Sequence, residues 1–240
     1  METIDTQNQA LLAACLVETP DPARIEALLR AGANPLGVVE GTDGKDLLYN
    51  CVIEHFVSPE TPDAAFVWIT ELFLRYGMDL SAPELPYDSE KILHPMWLLA
   101  FGCSENTLRV LELLLDHSLD AEAVGICWGH VLFDYYNCWG RLEDAYCYEL
   151  LYFTIRELLL IASYPHVLYA DADLQQTIWL SENTYDARKF RHWNDFSFEI
   201  DTSHCNRGYP EVYRSLVTVR EKNSGNAVWK FGFGLAPGAL

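Results

Sequence analysis

Few residues in this chain have the type and spacing to do chemistry. Cys127 and His130 are spaced like half of a zinc site, but no second CxxC or HxxxH completes a tetrahedral set. His204 and Cys205 are adjacent, a geometry that chelates a tetrahedral ion poorly. Asp171 and Asp173 could share acid–base work, yet they follow Pro165 in a turn-like stretch that suits solvated acids. Gly232 and Gly234 in "FGFGL" fall within a strand pattern and not in a phosphate-cradling loop. No nucleotide loop, HExxH, GxSxG or Walker pattern occurs. His117 closes a helical run, where a cation complements the helix dipole. These residues point away from catalysis, and neither a cofactor nor a metal is expected.

Binding chemistry is better represented. Acids gather after helical runs: Glu40 and Asp43, then Asp79, Glu84, Asp88 and Glu90, then Asp120 and Glu122. Nine aromatics fall within residues 128–153. Among them Tyr135 and Trp139 stand four apart, on one face of a helix, and tyrosine and tryptophan are the usual anchors of protein interfaces. The expected partner-binding residues are therefore Asp43, Glu84, Asp88 and Glu90 for steering and Tyr135 and Trp139 for anchoring. The net charge is −19, and it is uneven: residues 1–180 hold 28 acids against 8 bases, residues 181–240 hold 7 against 8. Such a field repels nucleic acid and anionic membrane and draws in basic proteins. The tail offers a contrasting surface, with Arg214, Arg220 and Lys230 on strand-like segments.

The elements that must position these groups begin with a repeated frame. Ala10 to Glu18 and Asp46 to Glu54 both read x-L-L-x-x-C-x-x-E, and Trp97 to Glu105 fits it with Gly102 at the small position. Val131 to Trp139 fits loosely. Each is followed by a longer apolar helix: Ala23 to Ala31, Ala64 to Tyr76, Thr107 to His117 and Arg141 to Ala162. Gly32 and Gly77 follow the first two, where glycine supplies a left-handed cap. Leu28, Leu29, Leu114, Leu115, Leu158 and Leu159 recur at helical spacing and are predicted to be core.

"ARIEALLRAGANP" (Ala23 to Pro35) resembles the second helix and turn of an ankyrin repeat, and "WITELFLRYGMDL" and "VLELLLDHSLDAEA" are similar but more distant. The resemblance covers roughly residues 7–165. The turn residues Gly32, Gly77 and Ser118 are spaced more widely than the ankyrin period of about 33, and no "TPLH" opens a unit. Insertions at Val57 to Asp63 and Ser81 to Leu93 account for the excess, and HEAT-like packing is the alternative. The resemblance implies a bacterial-type irregular repeat protein that binds another protein, at its most specific a toxin-immunity protein.

After Pro165 the pattern changes to short strands: Phe196 to Ile200, Tyr213 to Arg220 and Ala227 to Phe233, the last two joined by a turn at Asn223 to Asn226. Leu174 to Ser181 reads as a short helix. The expected fold is thus mainly α: a solenoid of about four ankyrin-like helix pairs over residues 1–165, and a C-terminal α/β cap over 166–240 with a three-stranded antiparallel sheet. The polar start, Met1 to Gln9, does not read as a signal peptide, and seven cysteines without framework spacing suit reduced thiols in a cytoplasm. The expected function is non-enzymatic binding of a basic protein, such as inhibition of a toxin. A general adaptor and a nucleic-acid-mimicking inhibitor are the alternatives.

Overall fold

The computed structural model describes residues 4–41, 44–57, 64–80, 95–100, 102, 104–117, 153, 155–157, 159–161, 163–164, 178–180, 187–201 and 214–234. The chain divides into two compact units, Met1–Leu119 and Asp120–Leu240.

The first unit contains α1 (Ile4–Cys15), α2 (Pro22–Arg30), the strands β1 (Val38–Gly41) and β2 (Gly44–Leu47), then α3 (Leu48–Val57), α4 (Ala65–Arg75), α5 (Pro95–Ala100) and α6 (Glu105–Asp116). Local chemistry fixes several ends. Asp21 caps α2 by accepting from the Ala23 amide at 3.0 Å, with Pro22 at the first helical position. The same helix stops at Gly32, whose φ of 103° is open to glycine, and the Ala33 amide reaches back to the Leu28 carbonyl at 3.1 Å. α4 ends in the same way at Gly77 (φ 90°), with Met78 N–H on Phe73 O at 2.9 Å. Ser104 caps α6 through the Thr107 amide at 3.1 Å, and His117 Nδ1 lies 2.7 Å from the Leu113 carbonyl at its other end.

The helices close a common core: α1 packs on α2, α3 and β1, while α3 packs on α4 and α5, and α4 on α2 and α6. Leu11, Ile25, Leu48, Ile53, Ile69, Phe73, Leu108 and Leu111 are fully buried there. Phe56 stacks on Phe66 with ring centroids 5.7 Å apart, and Tyr49 meets Phe73 edge-on at 6.0 Å. The buried Tyr49 hydroxyl is satisfied by Thr70 Oγ1 at 3.0 Å.

In the second unit, residues 153, 155–157 and 159–161 are helical. They are followed by β3 (Ile178–Leu180), a 3-10 helix (Ala187–Asp195), β4 (Phe196–Asp201), β5 (Arg214–Glu221) and β6 (Ala227–Gly234). The strands form one antiparallel sheet in the order β3-β6-β5-β4. Gly225, with φ 71°, turns the chain between β5 and β6. The buried face is aromatic: Phe190 lies 5.1 Å from both Trp229 and Phe196, over the fully buried Val217 and Val219.

This architecture corrects the expected fold class. The described residues hold six α-helices, the helical residues 153, 155–157 and 159–161, a 3-10 helix and six strands in two antiparallel sheets, a mixed α/β fold and not a mainly-α solenoid of four units. The reason lies in the phase of the repeated frame. In α1 the frame falls at the end of the helix, with Cys15 its last residue. At the second occurrence Asp46 and Leu47 belong to strand β2, and α3 opens only at Leu48, so Cys51 lies in its first turn. Equal letters thus occupy unequal structural positions, and the frame does not mark a structural repeat. Two local readings also change. Leu28 is half-buried while Leu29, Leu114, Leu115 and Leu159 are buried, and Leu158 lies outside the described residues. Within the stretch expected to be a short helix, Ile178–Leu180 is a strand, because its backbone pairs with Phe231 to Phe233 of β6. The division expected between residues 165 and 166 lies within the second unit, Asp120–Leu240.

Candidate functional site

The most elaborated surface among the described residues is the β1–β2 ribbon of the first unit. Its sequence, "VVEGTDGKDL", carries a glycine on each side of its tip, and burial alternates through β1, with Val39 buried between the exposed Val38 and Glu40. The strands pair antiparallel with Val38 opposite Leu47, Val39 opposite Asp46, Glu40 opposite Lys45 and Gly41 opposite Gly44. Gly44 has φ 124°, which an L side chain rarely adopts.

The base of the ribbon is tied down on every side. Asn34 makes a turn, with its side chain accepting from Leu36 N–H at 3.0 Å and its carbonyl from Gly37 N–H at 2.9 Å. Asn8 of α1, buried to 2% exposure, accepts the Asn34 amide at 2.8 Å. Gly37 lies so close against the Asn8 carboxamide that a Cβ there would collide with it. Leu48 and Tyr49, the first residues of α3, donate their amides to Gly37 and Pro35 carbonyls at 2.9 and 3.0 Å. Orphan helix amides are thereby satisfied by the turn that leads into β1. Asp46 accepts from Leu47 N–H and from Asn50 Nδ2, both at 2.7 Å. That carboxylate is a structural acid.

The outer part is exposed. Glu40 and Lys45 face solvent with side chains 71% and 72% accessible, and their charges stand 4.0 Å apart. A pair that open to water contributes little stability. The nearby thiol of Cys51 is buried, and burial, with Asp46 and Glu54 at hand, pushes it up to about 11. Cys15 in α1 is pushed by burial up to about 12. Both are poor nucleophiles near neutrality. Among the described residues no group of three or more His, Cys, Asp or Glu side chains could hold a metal ion.

The residues expected to bind a partner are not on the described surface. Asp43 lies at the ribbon tip in sequence, between Gly41 and Gly44, and is outside the described residues. Glu84, Asp88 and Glu90, between Leu80 and Pro95, are outside them too, as are Tyr135 and Trp139. Of the other acids named from the sequence, Glu40 and Asp79 are described and exposed. Gln9, Asn8 and Asp46, which build the ribbon, went unnoticed in the sequence. The Gly-x-x-Gly spacing after Val-Val was a usable hairpin signal; nothing local marks Gln9 or Asn8, which act across 31 and 26 residues.

The cations of the second unit are arranged differently. Arg156 lies 5.0 Å over Trp193 and 5.8 Å over Phe153, and Arg191 lies 5.3 Å over Tyr164. Arg220 sits 3.5 Å from Glu199 and donates to the Gly225 carbonyl at 3.2 Å, while Lys222 donates to Asn194 O at 2.6 Å. No helix among the described residues is long and apolar enough to cross a membrane. No known protein family, curated protein or solved structure matches this chain.

Proposed function

We propose that this chain is a protein-binding module without catalytic activity, whose first unit receives a basic protein and inhibits it, as an immunity protein inhibits a toxin. The observation that carries the reading is the ribbon, with its base held by hydrogen bonds and its Glu40 turned to solvent. Residues 1–119 carry 19 acids against 6 bases, so most of their carboxylates cannot be neutralised within the unit. A field of that sign accelerates encounter with a cationic surface and disfavours acidic ones. Glu84, Asp88 and Glu90 add to the negative charge of residues 1–119, and Tyr135 and Trp139, which belong to residues 120–240, are the proposed anchors. The inhibitory role rests on the resemblance carried by Ala23 to Pro35.

Steering and anchoring fail differently, which gives the test. Once a partner is captured from the source cell, charge reversal at Asp43, Glu84, Asp88 and Glu90 should slow association about tenfold at low salt. That defect should shrink as salt screens the field. Tyr135→Ala or Trp139→Ala should instead speed dissociation by about 2 kcal/mol, with little salt dependence. Both sets binding as tightly as wild type at low and high salt would overturn the reading. A set of weak partners in place of one tight one would mark an adaptor.

A further inference from the structure

The ribbon has two strands, and the backbone register shows which of its groups point away from the pair. Leu48 N–H donates to Gly37 O, and the pairing places Gly37 opposite Leu48. Hydrogen-bonded and open pairs alternate in an antiparallel ladder. Val39 with Asp46 and Gly41 with Gly44 therefore turn their amides and carbonyls inward, and Val38, Glu40, Lys45 and Leu47 turn theirs outward. An outward rung is what a third strand would use.

At Glu40 that rung is occupied by a side chain. Glu40 N–H donates to Gln9 Oε1 at 3.2 Å, and Gln9 Nε2 donates to Glu40 O at 3.3 Å. A primary amide presents one acceptor and one donor side by side, the same pair that an extended residue presents to its neighbour. On the other edge, the outward Leu47 amide is taken by the Asp46 carboxylate. Each edge is thus blunted by a side chain, one from α1 and one from the ribbon itself.

We infer that Gln9 is a positioning residue that acts as a surrogate third strand. It docks β1 on α1, fixes the direction in which the ribbon tip projects, and keeps the β1 edge from accepting another strand. The partner is then met by the side chains of the ribbon and not by strand addition. This rests on the proposed binding function only for its use, because the clamp itself is measurable without a partner.

Amide hydrogen exchange on the full chain reads it directly. The Glu40 amide should be protected in the wild type, and Gln9→Ala should speed its exchange about tenfold or more. The inward Val39 amide should keep its rate, which separates loss of the clamp from unfolding of the ribbon. Gln9→Glu, which retains the acceptor and loses the donor, should fall between the two. An unprotected Glu40 amide in the wild type, or one unchanged by Gln9→Ala, would overturn the inference and leave the binding proposal standing. Should Val39 and Glu40 lose protection together, the ribbon does not depend on the clamp in the way stated, and the inference fails as well. Salt-independent association with the captured partner would instead sink the binding proposal and leave the clamp intact.

Discussion

The two units treat charge in opposite ways. In the first, three of the described cations pair with carboxylates at the surface: Arg30 with Glu26 at 2.8 Å, Arg75 with Glu71 at 3.3 Å and Lys45 with Glu40 at 4.0 Å. Tyr76 joins the first of these, accepting from Arg30 and donating to Glu26, both at 2.9 Å. In the second unit Arg156 and Arg191 lie on aromatic rings, and Arg220 and Lys222 donate to backbone carbonyls, with Arg220 also 3.5 Å from Glu199; these contacts hold the helical residues, the 3-10 helix and the turn after β5 in place. Charge in the first unit is surplus, available to act at a distance. Charge in the second is consumed by the architecture. The cores differ in parallel: aliphatic helices with a few stacked rings in one, a sheet under a Phe–Trp cluster in the other.

That contrast can be broken by mutation, beginning where most is at stake. Phe73 of α4 is fully buried, edge-on to Tyr49 of α3, so Phe73→Ala should cost about 3–5 kcal/mol by chemical denaturation. A loss under 1 kcal/mol would mean that the helical core is not built as described. Asn8→Ala removes the acceptor for the Asn34 amide and should cost about 1–3 kcal/mol. It should also raise exchange in the ribbon. If surface pairs are surplus and ring-stacked cations structural, Arg156→Ala should cost about 1–2 kcal/mol and Arg75→Ala under about 0.5 kcal/mol. Equal losses would erase the distinction between the units.

The smallest effect expected near neutrality concerns the thiols. In the unfolded chain Cys15 and Cys51 lose their protons near 9, and in the fold only near 12 and 11. Between those values the folded state binds more protons than the unfolded one, so stability falls as pH rises through the window. Stability should be indifferent to these groups below about pH 8 and decline from about pH 9 toward 11. Cys15→Ala together with Cys51→Ala should flatten that decline, as followed by melting at stepped pH.

Helix positions in the first unit were legible because their signals are local. The glycines at 32 and 77 mark helix ends, and α2, α4 and α6 lie within a residue or two of the bounds read from the sequence. The fold class was not legible, because a nine-residue frame carries no information about phase: the same Leu-Leu-x-x-Cys ends one helix and straddles a strand and the start of another. β3 was missed for a related reason. A three-residue strand is decided by its partner, and the partner lies on β6, far along the chain. The ribbon stood in the sequence as an acidic loop, since Glu40 and Asp43 drew attention from the Val-Val and Gly-x-x-Gly spacing around them. Gln9 and Asn8 could not have been found without the tertiary structure. Their hydrogen bonds join an exposed and a buried helix position to backbone that no periodicity links to them.

The pairing of β3 with β6 also sets a clock. Ile178 leaves the ribosome some 55 residues before Phe233, the residue it must pair with. At roughly 5–20 residues per second, that interval is about 3–11 s. The ribbon β1–β2, by contrast, has both strands within ten residues and can zip as soon as it emerges. During synthesis the first unit can therefore reach its native packing, with its acidic surface already in place, while the central sheet of the second still lacks the strand that joins its edge to β5. A nascent chain stalled between the two events would carry a finished amino-terminal half and an unclosed sheet, the stage at which exposed strand backbone most needs a chaperone.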